Sequence, residues 1–266
     1  MEPSMHTPPP TPRDNPLFVN ALAKGMEVLR AFTGASRYLS LTEIATRSGL
    51  DKSTAQRMTH TMHQLGYLEK CADTRRYALG RQLLDFSFQY VRTNPLVEVA
   101  TPHLIELRRD CEERVDLSLF DRTTLVYVIR LQSKREKFYT TLVGRRMPVF
   151  CSAGGRAMLA QLPEEEALQI VLASTRTPLT PHSITDVDAI MAKISVARKD
   201  GYAMAVQESI VGELTLGAAV LDGNGRPAGA VHIAASLHEW EPEKFATRML
   251  PGLLKTVDVL NQRAHG

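Results

Sequence analysis

A helical spacing of apolar residues begins just after Leu17. In "LFVNALAKGMEVLRAF" such residues recur every three or four positions, as on one face of a helix: Leu22, Met26, Leu29 and Phe32. The spacing predicts an amphipathic first helix that buries this face, and Asn15 or Asn20 is a candidate N-cap.

Two further helices follow, joined by a short turn. Ser40 precedes "LTEIATRS" with Glu43 at the capping-box position, and Gly49 suits a left-handed helix end. Asp51 is the candidate N-cap of the third helix. The apolar stripe of that helix, which is expected to face the core, consists of Ala55, Met58, Met62 and Leu65.

The opposite side of the third helix, in "SGLDKSTAQRMTH", lacks the Glu and Lys of an ordinary solvated face. Glutamine and arginine can bond adenine and guanine in the major groove, and hydroxyl groups adapt to either base. No carboxylate, which phosphate would repel, occurs between Lys52 and Gln64. The pattern predicts a helix-turn-helix whose candidate DNA-contacting residues are Lys52, Ser53, Thr54, Gln56, Arg57 and His60.

Two short strand-like runs come next, "YLEK" and "RRYAL", around the turn "CADT". A hairpin directly after a recognition helix is a wing, and Arg75 and Arg76 are placed where the wing would meet phosphates. Winged helices also serve as dimerisation or protein-docking modules, and some patterns of this kind are plain helical pairs, so both alternatives stay open.

The rest of the chain changes from one helical segment to mixed structure. "RQLLDFSFQYVRT" predicts a linker helix, expected to contact a partner subunit as well, and "LVEVATPHLIELRRDCEER" predicts a helix with a kink or restart at Pro102. Strand patterns follow in "VDLSLF", "LVYVIRLQ" and "KFYTTL", then three helical patterns, then "YAMAVQE", "GELTLGAAVLD" and "RPAGAVHIAAS". "DGNG" predicts a primed hairpin turn between the last two strands, and a final helix runs around Pro251.

This order predicts an α+β fold: strands, helices on one side, strands again, then a helix. The expected organisation is a disordered, proline-rich tail over 1–16, a winged helix-turn-helix domain over 17–80, a linker helix over 81–95 and a second domain over 96–266.

Composition adds a modest charge asymmetry. Residues 1–95 carry 12 basic and 8 acidic side chains, whereas 96–266 carry 20 and 21, so the excess of positive charge lies in the predicted DNA-binding part. The three cysteines form no CxxC or Cys/His cluster, so we expect neither a disulfide framework nor a metal site. No run of 18 apolar residues and no signal-peptide order occur, so we expect a cytoplasmic protein without membrane contact.

Several segments together resemble the IclR family of bacterial transcriptional regulators: "LAKGMEVLRAF", "LSLTEIATRSGLDKSTAQRMTHTMHQLGYLEK", "RRYALG", "VGRRMPVFCSAGGRAMLA" and "ARKDGYA". The resemblance covers the chain from Leu17 to its C-terminus. It implies a winged domain that binds double-stranded operator DNA as a homodimer, and a GAF-like C-terminal domain that binds a small effector and commonly gives a tetramer. The chain is most similar to the branch that controls catabolism of aromatic acids.

The resemblance also implies an effector cavity between the sheet and the segment after "MP". The residues that it places there are Met147, Ala153, Gly154, Glu213, Thr215, His232 and Ala234. Alternation in "AGAVHIAAS" independently puts Ala230, His232 and Ala234 on one face of a strand. We add Arg156, which pairs with either an effector carboxylate or a structural partner.

The cavity departs from the family where this chain has His232-Ile233-Ala234 in place of a Ser-x-Ser pattern. An imidazole beside small alanines favours a larger or aromatic, anionic ligand, because histidine can donate to a carboxylate or phenol. The alternative is a histidine bonded to backbone within the sheet. Glu213 either repels an anion or points to solvent, and Gly154-Gly155 is either an anion cradle or a tight loop.

Two other functions compete with a ligand-responsive regulator. An enzyme would use Cys151 or Ser152 as nucleophile with His182, His232 or His238 as base, but "VFCSAGG" does not fit a Gly-x-Ser-x-Gly elbow. No glycine-rich phosphate loop is present, so no cofactor is expected. A nucleic-acid-binding protein without ligand control would leave the second domain without a purpose.

Overall fold

The computed structural model describes residues 15–34, 36–133 and 143–264. The predicted tail, except for its last two residues, and the predicted strand "KFYTTL" lie outside the described residues. Contacts divide the chain into two units, Met1–Tyr90 and Val91–Gly266. The division falls within the predicted linker helix, and the sequence boundaries at 80 and 96 stay predictions.

The first unit contains a helix-turn-helix followed by a two-stranded hairpin. Its elements are α1 (Asn20–Arg30), α2 (Leu41–Ser48), α3 (Lys52–Gln64), β1 (Leu68–Lys70) and β2 (Tyr77–Leu79), and α4 (Gln82–Arg92) continues into the second unit. Ser40 and Glu43 form the predicted capping box, Gly49 has a left-handed φ of 66°, and the Asp51 side chain accepts from Thr54 N. The predicted turn between α2 and α3 is therefore confirmed by its hydrogen bonds.

The buried face of α1 differs from the prediction. Val28 is fully buried, whereas Leu22 and Met26 are 59% and 45% exposed. A Cβ on Gly25 would lie 2.7 Å from Cε of Met62 in α3. Helices α1 and α3 therefore approach each other at this glycine, and α1 turns Val28 towards the core. The start of α1 is also different, because Val19 occupies the N-cap without a side-chain bond.

The stripe of α3 is shifted in the same way. Ala55 is buried, and Met58 and Met62 pack partly buried against the core, but Leu65 is 57% exposed. Thr59 is fully buried instead, because its hydroxyl donates to Ala55 O at 2.8 Å and needs no water.

The second unit is built on a six-stranded antiparallel sheet in the order β5-β4-β3-β8-β7-β6. The strands are β3 (Arg114–Asp121), β4 (Thr124–Leu131), β5 (Arg146–Pro148), β6 (Ala203–Val206), β7 (Glu213–Leu221) and β8 (Pro227–Ser236). The helices are α5 (Pro95–Cys111), α6 (Ala153–Leu159), α7 (Glu164–Ala173), α8 (Val187–Asp200) and α9 (Pro242–Ala264).

Helices cover both faces of this sheet: α6, α7 and α8 lie on one side, as expected, and α5 and α9 cover the other side, which was not predicted. Val115, Leu117, Val231 and Ile233 pack in one core with apolar residues of α5 and α9. Leu125, Ala219 and Ala230 pack in a second core with residues of α6, α7 and α8. The sequence pattern missed this because strands buried on both faces lose the polar alternation that marks a solvated face.

Two other local predictions are corrected. Pro102 lies inside helix α5, so the helix does not restart there, and a kink at Pro102 stays a prediction; Pro251 lies inside α9, as predicted. In "DGNG" only Gly225 has a positive φ, 74°, and its N–H donates to Asp222 O at 2.9 Å. The turn is therefore unprimed, and it is followed by a left-handed glycine beside a register shift at Val220/Leu221.

A buried ion pair fixes α6 to the segment between β6 and β7. Arg156 is 0% exposed, and its two terminal nitrogens each lie 2.6 Å from a Glu208 oxygen. Its Nε donates to Phe150 O at 2.8 Å, and Glu208 O accepts from Ser183 Oγ at 2.6 Å. Because every charged group here is paired, removing one partner would leave an uncompensated buried charge.

Arg156→Met should lower the free energy of unfolding of the second unit by about 3–5 kcal/mol, because Glu208 would lose its buried partner. Urea unfolding followed by fluorescence of Trp240, the single tryptophan of the chain, measures this unit. Arg226→Met is the control: the Arg226–Glu166 pair is exposed, so its loss should cost less than about 1 kcal/mol. Equal losses in the two variants would contradict the assignment.

Candidate DNA-contacting face and cavity of the second unit

The polar face of α3 is open to solvent in the first unit. Lys52, Ser53, Gln56, Arg57 and His60 are exposed, and Thr54 is half-buried. The Ser53 hydroxyl donates to Asp51 at 2.6 Å and Thr54 N donates to the same oxygen at 2.9 Å. These hydrogen bonds hold the pKa of Asp51 well below its usual range, so the cap stays ionised.

The two wing arginines have different surroundings. Arg75 is exposed in the turn of the hairpin with φ 55°, a left-handed conformation. Arg76 Nη1 donates to Tyr38 O at 3.3 Å, and its Nη2 lies 3.5 Å from Glu43 of the capping box. Arg76 therefore ties the hairpin to the start of α2, whereas Arg75 projects from it.

A narrow cavity lies between the sheet and the start of α6 in the second unit. Its walls come from five strands or their ends, α6 and the loop before β7: Arg114, Tyr127, Arg145, Met147, Ser152, Ala153, Ser209, Ile210, Glu213, Thr215 and His232. The space open to the centre of a water molecule is about 10 Å³, enough for one water-sized group. Five of the eight residues predicted for an effector site line it: Met147, Ala153, Glu213, Thr215 and His232.

The other three predicted residues do not line the cavity. Arg156 is bound to Glu208 and makes a structural ion pair. Gly154 is a close-packing residue, because a Cβ there would lie 2.2 Å from His232 Cε1. Ala234 shares a strand face with His232 but is covered, at 2% exposure. The anion cradle at Gly154-Gly155 is not supported, since α6 packs directly on the sheet at this point.

Sequence reasoning missed the cavity residues on the central strands, Arg114 and Tyr127. Arg114 ends a segment that predicts a helix, and Tyr127 lies in a strand pattern typical of apolar core; only their strand partners place them beside the ligand-site candidates. Alternation was the available signal: Arg114, Asp116 and Ser118 alternate with Val115, Leu117 and Leu119, which belong to the core beneath α5 and α9.

Arg114 organises the charges at the cavity. Its Nη1 donates to Glu213 at 2.7 Å, and its Nε donates to Asp116 at 3.0 Å. Thr215 Oγ1 also donates to Glu213, at 3.1 Å. Glu213 therefore neither points to solvent nor stands as an uncompensated charge, since Arg114 neutralises it at the cavity wall.

A second cation, Arg145, lines the cavity and is exposed. Within the described part of the chain its guanidinium makes no ion pair, whereas the next residue, Arg146, pairs with Asp121 at 2.5 Å. The aromatic wall is Tyr127, whose ring centroid lies 5.3 Å from that of His232. Burial, and after it the carboxylates of Asp116 and Glu213, raise the pKa of Tyr127 well above its usual range, so the phenol stays protonated.

His232 is bonded to a side chain, not to the backbone. It is 1% exposed, and its Nε2 lies 2.8 Å from Ser118 Oγ. Among the described residues Ser118 Oγ has this one partner, so the buried hydroxyl must donate to Nε2 to satisfy its own proton. The imidazole proton then lies on Nδ1, which has no hydrogen-bond partner in the described structure.

Burial, with a smaller contribution from Arg114, lowers the pKa of His232 from 6.5 to about 3. We expect its ring nitrogens in an NMR spectrum to show Nδ1 protonated, and to stay constant as the pH falls from about 8 to about 5. At pH values between about 3 and 6.5, His232 of the unfolded chain binds a proton that His232 of the folded chain does not. The contribution of His232 to the free energy of unfolding is therefore complete above pH 6.5 and is lost as the pH falls towards 3. A titration midpoint of the His232 ring near pH 6.5 in the folded protein would contradict the burial argument.

The candidate nucleophiles lack the setting of a catalytic centre. Burial raises the pKa of the Cys151 thiol to about 11, which disfavours the reactive thiolate. Ser152 Oγ donates to Pro148 O at 2.9 Å and accepts from Gly155 N, as a helix N-cap.

Within the described ranges no helix is long and apolar enough to span a bilayer, and no cluster of three metal-ligating side chains occurs.

A helix-turn-helix unit and a second α/β unit with an internal polar cavity define the class of two-domain transcriptional regulators. Residues 21–71 match the IclR helix-turn-helix domain, and residues 88–260 match the C-terminal domain of the bacterial transcriptional regulator IclR. Because the second match spans more than half of the chain, the protein belongs to the IclR family. That family consists of DNA-binding regulators of transcription, which are not enzymes.

Several similar proteins are named regulators, and one related structure was solved with a bound ligand. The chain is 24% identical to the Pca regulon regulatory protein of Pseudomonas putida over 90% of this chain and 82% of that protein. It is 25% identical to the p-hydroxybenzoate hydroxylase transcriptional activator of Acinetobacter baylyi, over 91% of each. An IclR homologue of Microbacterium hydrocarbonoxydans, solved in complex with 4-hydroxybenzoate, shares the fold with TM-score 0.72 at 22% identity, covering 92% of this chain and 100% of that one.

Proposed function

We propose that this protein is a ligand-responsive regulator of a catabolic operon, whose effector is a small aromatic or other organic acid. In this proposal α3 reads operator bases, the hairpin contacts phosphates, and the cavity of the second unit binds the effector. The observation that carries the effector assignment is an exposed guanidinium, that of Arg145, on a cavity that also contains an aromatic wall.

The DNA half of the proposal rests on the exposed face of α3. Gln56 and Arg57 are adjacent, exposed and free of carboxylate neighbours on the helix, which suits contact with base edges. Arg75 projects from the hairpin turn toward solvent, as a phosphate-contacting side chain would.

Arg57→Ala should weaken operator binding by about 1–3 kcal/mol and relax the sequence preference, because a base-edge contact is lost. Competition gel shifts with operator and unrelated DNA measure both effects. Arg109→Ala removes the same charge from an exposed helix position of the second unit and should leave both unchanged. Operator affinity equal to that of the unmodified protein would remove Arg57 from the base-reading residues.

The effector half draws on the cavity and on relatives. A carboxylate can pair with Arg145, while the rings of Tyr127 and His232 offer an aromatic surface. One similar protein is named for p-hydroxybenzoate hydroxylase, and a similar fold was solved with 4-hydroxybenzoate. These likenesses support an aromatic acid over a two- or three-carbon acid for this chain.

The small volume of the cavity bears on mechanism. A ring-sized ligand needs more than the space of one water, so binding must move part of the wall, such as Met147 or the loop that carries Ile210. An open, ligand-bound state and a closed state then differ in shape. A coupling of about 1–3 kcal/mol between that change and DNA binding would alter operator affinity about 5- to 150-fold.

Such coupling needs two DNA-binding units, and we propose a homodimer that can assemble further into a tetramer. Helix α4 exposes four large apolar side chains, which a partner subunit would cover: Leu84, Phe86, Phe88 and Tyr90, each 59–67% exposed. Two subunits would place recognition helices in half-sites about one DNA turn apart.

Arg145→Ala should weaken binding of benzoate and 4-hydroxybenzoate at least about 10-fold, because the carboxylate loses its cationic partner. Titration calorimetry on the full chain measures this. Arg146→Ala is the matched control, since its guanidinium pairs with Asp121 at 2.5 Å and does not line the cavity. If neither acid binds the unmodified protein, benzoate and 4-hydroxybenzoate are not its effectors.

A further inference from the structure

Two buried polar atoms face the cavity side of the sheet without partners in the described structure. They are Asp116 Oδ1 and His232 Nδ1, on residues that are each 1% exposed. Since a buried donor or acceptor without a partner costs about 1–3 kcal/mol, two at one place call for a bound group that satisfies both.

The two residues are direct neighbours across two strands. Asp116 of β3 pairs with His232 of β8 in the antiparallel register. Opposed residues of an antiparallel pair point to the same face, with Cβ atoms about 4.5–5.5 Å apart. On that face His232 lines the cavity, whereas Asp116, its direct neighbour, is not among the lining residues, and Val115 and Leu117 lie in the opposite core.

The two atoms have opposite hydrogen-bonding character. Because His232 Nε2 is the one partner of the buried Ser118 hydroxyl among the described residues, we assign the hydroxyl proton to this bond, which makes His232 Nδ1–H a donor. Arg114 Nε donates to Asp116 Oδ2 at 3.0 Å, which leaves Oδ1 of the carboxylate as an acceptor. One group that both accepts and donates, with a single oxygen, would complete both bonds.

We propose that Asp116 and His232 form a hydroxyl-recognition subsite, so that the effector is a hydroxylated aromatic acid. The ligand hydroxyl accepts from His232 Nδ1–H and donates to Asp116 Oδ1. A carboxylate has no proton to donate to Asp116, an ammonium cannot accept from Nδ1–H, and a ring C–H satisfies neither atom.

Size and polarity agree with this assignment. The closed cavity has room for one water-sized group beside His232, which matches a hydroxyl oxygen. Burial raises the pKa of Asp116, as expected for a carboxylate with one oxygen unpartnered, and a donated hydrogen bond would favour its ionised form. The Tyr127 ring is tilted relative to His232, with the two ring centroids 5.3 Å apart, and would flank the ring of the ligand.

The inference rests on the proposed aromatic-acid function, and one titration series separates the two. Calorimetry on the full chain compares benzoate with 2-, 3- and 4-hydroxybenzoate. We expect at least one hydroxybenzoate to bind about 10- to 100-fold more tightly than benzoate, because benzoate leaves both atoms unpaired. Benzoate binding as tightly as every isomer would overturn the subsite and leave the aromatic-acid function standing. Absence of binding by all four acids would overturn both.

Two variants test whether Asp116 and His232 produce the preference for a hydroxylated acid. Asp116→Asn and His232→Phe should each reduce the preference for the hydroxylated acid to within about 3-fold of benzoate, because one hydrogen bond is removed. Asp121→Asn is the control: Asp121 lies at the end of the same strand, pairs with Arg146 outside the cavity, and should keep the preference. If either variant does not fold, the wild-type ratio still decides. A preference that survives in both folded variants would refute the assignment.

Discussion

The site in the second unit depends on the close approach of α6 to the sheet. Gly154 lies against His232, and Gly217 lies against the backbone of Gly154, where a Cβ would come within 2.4 Å of its nitrogen. Larger residues at these positions would push the helix away, so the pair of glycines sets the depth of the cavity. The buried pair Arg156–Glu208 then holds the same helix from its other side.

This arrangement gives one sheet two different interiors. One face carries aliphatic side chains under α5 and α9, and the other carries, beside its apolar core, a patch of charged and hydroxyl-bearing residues. The polar patch is stable only because its members are paired, with Arg114 bridging Asp116 and Glu213. The two atoms without partners in the described structure, Asp116 Oδ1 and His232 Nδ1, are where we propose that a ligand hydroxyl binds.

Much of the first unit could be predicted because its signals are local. The capping box at Ser40, the left-handed Gly49 and the cap at Asp51 depend on residues within four positions of each other. The polar face of α3 follows from helical periodicity alone, and its exposure agrees with that pattern. The buried face of α1 was not predictable in the same way, because α1 contacts Met62 at Gly25, and a glycine does not appear in a pattern of apolar side chains.

For the cavity, the sequence pattern determined the strands and the alternation that puts His232 and Ala230 on one face, and the family resemblance implied five of the lining residues. Tertiary structure alone decided their partners. Arg156 meets Glu208 across 52 positions, and Arg114 meets Glu213 across 99. A local pattern assigns a residue to a face, because periodicity is a property of a single helix or strand. The partner that neutralises a charged residue comes from whichever segment the fold places beside it.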